Sequence, residues 1–115
     1  MSFPAADRPG LVPVLVRAPG AAPTYVRDKN DKSGLHRADF AVVVRIRNQA
    51  GEEVDRVSQH YPLSVSEQSL NAARSGDILF YREADLSPGR YTLEAIGYDA
   101  GSQKASVLQI GRAHV

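Results

Sequence analysis

The stretch Phe40 to Asn48, FAVVVRIRN, constrains the fold of this chain more than any other. Phe40, Val42, Val44 and Ile46 fall on one side of an extended chain, and Ala41, Val43, Arg45 and Arg47 on the other. That alternation has the period of a strand buried on one side only, so it demands a sheet with a second layer packed against it. NQAGEE then turns the chain, and VDRVSQHY, Val54 to Tyr61, returns as an antiparallel partner that Pro62 is expected to end.

Similar runs recur on either side. LVPVLVR, Leu11 to Arg17, reads as an edge strand, because Pro13 has no N–H to give a ladder. Ala18 to Pro23 is a break, Thr24 to Asp28 a second short extended piece, and Lys29 to Gly34 a polar turn. Ser64 to Gly76 is the one helical candidate, with Ser66 as its cap, Leu70 and Ala73 facing inward and Gly76 at its end. DILFYREADL and RYTLEAIGYD are strands joined by an SPG turn, and the loop AGSQ leads into a last strand, KASVLQ. Short strands with turn signals about every ten residues predict an all-β fold, an antiparallel immunoglobulin-like or fibronectin III-like sandwich with at most one short helix.

With 115 residues there is material for one domain. Residues 1–10 read as a Pro/Ala/Gly-rich linker and 11–109 as the sandwich, best defined over 38–109. No apolar run approaches the roughly 18 residues of a membrane span, so no direct membrane insertion is expected. The start, MSFPAADRPG, lacks the basic and apolar regions of a signal peptide, so an export signal would have to lie upstream. A net charge of +1 with scattered basic residues gives no nucleic-acid footprint, and the pair Arg45 and Arg47 reads as a solvated strand face. Without cysteine there is neither a disulfide framework nor thiol chemistry.

The last six residues, IGRAHV, stand apart. ATC GGA AGA GCA CAC GTC encodes them, and this is the sequence of a widely used sequencing adapter whose next in-frame codon is the stop TGA. The adapter's leading AG fits Gln109 as CAG. The expectation is that Ile110 to Val115 are read-through, to be left out of fold reasoning, and that the native chain continues past Leu108, with Met1 open to being internal. Removing Arg112 lowers the basic count from 14 to 13 against 13 acidic residues, so the remainder is neutral. A last strand cut short at this point would leave an edge open to self-association.

The turn in DLSPGRYTLEAIGYD places Pro88 and Gly89 before Tyr91 at the start of a strand. This is the arrangement of a tyrosine corner, in which the ring fills the core edge and the hydroxyl bonds back to the backbone near the turn. The competing reading, an exposed binding tyrosine, requires the ring to stand free.

DFAVVVRIRNQAGEEVDRVSQHYPL and ILFYREADLSPGRYTLEAIGYDAGSQKASV carry a family resemblance. The LFYRE run, the L-x-PG-x-Y-x-L-E-A phrase and the YDA-x-S-x-K-A-S-V ending make the chain from Ala38 to Val107 similar to the region following the von Willebrand factor A domain in bacterial VWFA-related proteins, especially those of Acidobacteria. The resemblance implies an accessory β-sandwich in an exported, multidomain parent protein, with neighbouring domains of that parent as its partners. The metal-binding DxSxS motif of the A domain is missing here, so neither its metal nor its ligand transfers to any residue of this chain.

No constellation for catalysis emerges. His36 is expected in a polar loop, His60 near a strand end and His114 in the read-through tail, and neither of the first two has a second nitrogen or sulfur ligand at zinc-like spacing. DKNDKSGLHRAD, Asp28 to Asp39, approaches a calcium loop at Asp28 and Asn30, but Lys32 takes the fifth position, Gly34 falls one place late and Asp39 replaces the bidentate Glu. A solvated turn is the reading that fits. GxSxG, GxGxxG and the P-loop are absent, and no cofactor is implied. Glu52 with Glu53, and Glu83 with Asp85, sit at turns and strand ends where no cleft is expected to converge them. The sequence therefore points to a non-catalytic structural or interaction module. The alternative is a carbohydrate- or peptide-binding sandwich, for which Tyr61, Tyr81 and Tyr98 are the candidates, with at least two of them expected to pack.

Overall fold

The computed structural model describes residues 10–115, so the linker assigned to residues 1–10 lies outside the described residues except for Gly10. Among the described residues seven strands run in chain order: β1 (Leu11–Pro19), β2 (Val26–Arg27), β3 (His36–Arg47), β4 (Glu53–Val65), β5 (Asp77–Asp85), β6 (Arg90–Asp99) and β7 (Lys104–His114). Between β4 and β5 a single 3-10 turn, Glu67–Ser69, leads into a short helix, α1 (Leu70–Ser75). All strand pairs are antiparallel.

Two sheets result. β1 pairs with β5 alone, while β4, β3, β6 and β7 lie side by side, with β2 continuing the β6 position beside the start of β3. These are the B·E and C′·C·F·G pairings of an immunoglobulin-like sandwich, and the protein is an all-β antiparallel sandwich of that kind. The alternation read from FAVVVRIRN is the main reason. Phe40, Val42, Val44 and Ile46 are buried and meet Val12, Val14, Val16 and Phe80 from the opposite sheet, with Leu93 and Ala95 beside them on β6. Burying one such side chain is worth about 1.5–3 kcal/mol, so the facing rows of β1 and β3 hold the layers together.

The β3–β4 hairpin closes at Asn48. Its carbonyl accepts from the Gly51 N–H at 3.0 Å, its side chain accepts from the Glu52 N–H, and Gly51 takes φ +85°, a left-handed conformation that glycine adopts without penalty. Tight packing uses a second glycine. Gly20 donates to the Gly76 carbonyl, and a Cβ at Gly20 would lie 1.9 Å from the Ala73 carbonyl oxygen, so the end of β1 sits directly on α1.

Three elements differ from the sequence reading. β4 runs through Pro62 to Val65, because this strand is a sheet edge and an edge tolerates a missing N–H. His36 begins β3 instead of lying in a loop. The last strand does not stop at Gln109: Ile110 to His114 pair with Glu94 to Arg90, and Ala113 is buried against the core. An extension that continues an extended chain pairs wherever β6 offers an open ladder, whatever the origin of its codons. Along β7, Leu108 bulges out of register between Val107 and Gln109 and turns its side chain toward Gly97 and the core.

Candidate functional site

At the β5–β6 corner the chain leaves one sheet and enters the other. The Tyr91 hydroxyl donates to the Ser87 carbonyl at 2.7 Å, and its ring packs against the core beside Gly89. Gly89 exchanges two backbone bonds with Val115, at 2.9 and 2.8 Å, and Pro88 is exposed. The ring and hydroxyl of Tyr91 are thus both occupied within the protein. This is the geometry of a tyrosine corner, and it presents no free phenol to a ligand.

The other end of the same stretch holds a feature absent from the sequence reading. Asp99 closes β6 and is 5% exposed. Its Oδ1 accepts from the Thr24 N–H at 3.0 Å, while Oδ2 accepts from the Thr24 hydroxyl, the Ser102 hydroxyl at 2.7 Å and the Ser102 N–H at 3.3 Å. Burial alone pushes this carboxyl up, but the hydrogen bonds from Thr24 and Ser102 outweigh it and hold the group at about 2. The carboxylate ties the segment after β1 to the β6–β7 loop. An aspartate at a strand end with a serine three residues on is a pattern in which the side chain closes the following loop, and it was the cue available in the sequence.

The three candidate tyrosines are not brought together. Tyr61 lies opposite Phe40, faces inward against the core and donates to the Leu79 carbonyl at 3.1 Å. Tyr81 stands on the outer face of the two-stranded sheet, 57% exposed, and Tyr98 on the outer face of the larger sheet, 42% exposed. Only Tyr61 packs, whereas the sequence reading expected at least two to do so. No two of them form a stacking platform on one face.

The basic pair stands on the solvent side of β3, as expected, and is engaged by carboxylates. Arg45 bonds Glu53 at 2.9 Å, and both Arg45 and Arg47 approach Glu94, at 3.9 and 3.8 Å. Hydrogen bonds from Arg45 and then Arg56 hold Glu53 below the ordinary carboxylate range. These ions lie on the solvent side of β3, β4 and β6, where such pairs contribute little stability. At one end of this face Arg47, Arg90, Arg112 and Tyr91 border a shallow depression of about 540 Å³.

The calcium-like segment is a pair of turns. Asp28 accepts from the Asn30 N–H and Asp31 from the Ser33 N–H, both at 2.9 Å. The Ser33 hydroxyl and N–H, then Arg37, hold Asp31 at about 2. Asp39 sits within β3 and pairs with His60 at 3.0 Å, so it does not join the turn. Among the described residues no group of three or more His, Cys, Asp or Glu side chains is placed to hold a metal ion. Glu83 accepts from the Tyr81 hydroxyl at 3.2 Å, and Glu52 lies exposed in the β3–β4 turn. Among the described residues no helix is long and apolar enough to cross a membrane.

Comparison with known proteins adds little. No family model matches the chain, and no curated protein does. Among solved structures the chain is similar to an endonuclease/exonuclease/phosphatase from Beutenbergia cavernae DSM 12333, at 23% identity over 96% of this chain and 22% of that one, with a TM-score of 0.36. A likeness that weak carries no argument about fold or activity.

Proposed function

We propose that the chain is a non-catalytic accessory β-sandwich of a larger, exported bacterial protein related to those with von Willebrand factor A domains, and that it provides a structural or protein-contact surface. The observation that carries this reading is where side chains are exposed. Leu79 and Tyr81 stand out on one face of the sandwich, Tyr98 and Val107 on the other, each at least 42% exposed. The polar groups of the corner and of Asp99 are meanwhile committed to holding the two sheets. Exposed apolar groups on both faces suit a domain that touches neighbours in its parent chain.

The test is hydrogen exchange on the isolated domain and on the same domain within its full reading frame. Contact with a neighbour slows exchange in the segments around Leu79–Tyr81 or Tyr98–Val107. Identical exchange in both settings, over both faces, removes the contact role. Recovery of a parent without an A domain removes the family assignment.

A further inference from the structure

The edges of the two sheets are defended unequally. β4 carries Pro62 together with the charged Glu53, Asp55 and Arg56. β5 lies against β4, stitched to it by side chains: Tyr61 takes up the Leu79 carbonyl of β5, and Arg82 takes up the Ser58 carbonyl of β4 at 2.9 Å. β1 includes Pro13 and ends at Pro19. Proline, charge and covering groups are the devices by which natural sheets block edge-to-edge pairing. β7 has no proline and no carboxylate, and between Lys104 and Arg112 it is uncharged, ASVLQIG. Beyond the charges at Lys104 and Arg112 its protective device is the bulge at Leu108, which leaves Lys104 to Val107 as a regular strand that, among the described residues, is paired on one side only. Val107 on that run is 57% exposed, and the neighbouring Tyr98 is 42% exposed.

We infer that this part of β7 is an interaction edge, and that its partner is the same segment of a second copy of the chain. The occupant follows from the pattern of defence. Among the described residues β2 is also free of proline and acid but is two residues long, so only β7 offers such an edge of useful length; a second copy then reciprocates with its own β7, and a two-fold axis makes the contact self-complementary. Centred on Ser106, antiparallel pairing sets Ser106 opposite Ser106 of the other copy and Ala105 opposite Val107, and the pairing ends where Lys104 comes level with the bulge at Leu108. No like charges face each other in that register, and the larger sheets of the two copies become one. Residues 110–115 take no part. A pairing this short falls well below the roughly 1,600 Å² of a standard interface, so the association is weak. It rests on the edge alone and is independent of the identity of the parent protein.

Sedimentation equilibrium from about 10 µM to about 1 mM tests it. The average mass should rise toward twice 12.5 kDa with concentration, and Val107→Lys should weaken the association at least about tenfold, since a charge on an edge opposes pairing. Because the chain has no cysteine, Ser106→Cys gives a clean second readout. Residues facing each other across an antiparallel pair are within disulfide reach, so this variant should cross-link at least about tenfold faster than Ser58→Cys on the β4 edge. A chain that stays monomeric at the highest concentration overturns the inference. So do equal cross-linking rates for the two cysteine variants, or a Val107→Lys protein that associates as tightly as the parent sequence.

Discussion

Asp99→Asn isolates a single interaction that spans the molecule and has a pH signature. The folded carboxyl sits at about 2, below the 3.8 of the free group. A carboxylate depressed in the folded state contributes stability that is fully present above the unfolded value and is lost as pH falls through the folded one. At 1.36 kcal/mol per pH unit, the interval from 3.8 to about 2 corresponds to about 2 kcal/mol. The asparagine keeps the shape but accepts through one oxygen only, and it turns an NH₂ toward the Thr24 and Ser102 donors. At about pH 7 the variant should therefore lose about 2–3 kcal/mol, as expected for hydrogen bonds to a charged group. Near pH 2 the parent carboxyl is about half protonated and most of its linked stability is gone, while the variant had none to lose, so the gap should close to under about 1 kcal/mol. Asp31 and Glu53, also depressed, shift both proteins alike and cancel in the difference. Urea melts of the two proteins across this pH range supply the comparison. Parallel stability curves, with a constant gap down to the lowest pH, would refute the argument and move the cost of the substitution to packing.

Three further outcomes are expected. Tyr91→Ala removes a ring that packs on the core but is only half-buried, so denaturant melts should show a loss of about 2–3.5 kcal/mol, while Tyr91→Phe should lose about 0.5–1.5 kcal/mol with its bond to Ser87; an alanine variant that melts like the parent disproves the corner. Deleting Ile110 to Val115 strips the ladder from Arg90 to Glu94 and the two Gly89–Val115 bonds, so a cost of about 2–4 kcal/mol is expected, against the negligible one, within about 0.5 kcal/mol, that the read-through reading of the tail implied; a change within about 0.5 kcal/mol in the same melts shows that the tail is not held. Gly20→Ala forces a methyl into the Ala73 carbonyl and should cost about 1–3 kcal/mol by thermal unfolding, and an unchanged midpoint would show that α1 is free to move away.

The sandwich was legible because its signal is local. A strand buried on one side writes its period into consecutive residues, and FAVVVRIRN shows the core face of β3 without any knowledge of what covers it. The β3–β4 turn, the cap at Ser66 and the stop at Gly76 are local in the same sense, each set by residues within one turn of the chain. The corner at Tyr91 was legible for a related reason, since its hydroxyl reaches only four residues back. What tertiary structure decided lies at long separation. Asp99 and Thr24 are 75 positions apart, and nothing near Thr24 indicates that it will meet a carboxylate. The three candidate tyrosines looked equivalent as residue types, yet strand register sent Tyr61 into the core and Tyr81 and Tyr98 to opposite outer faces. Pro62 reads as a stop until its strand proves to be an edge, where the missing N–H costs no ladder bond. Alternation along a chain states which side of a strand is buried; only the assembled sheets determine which strands lie at the edges and which side chains share a face.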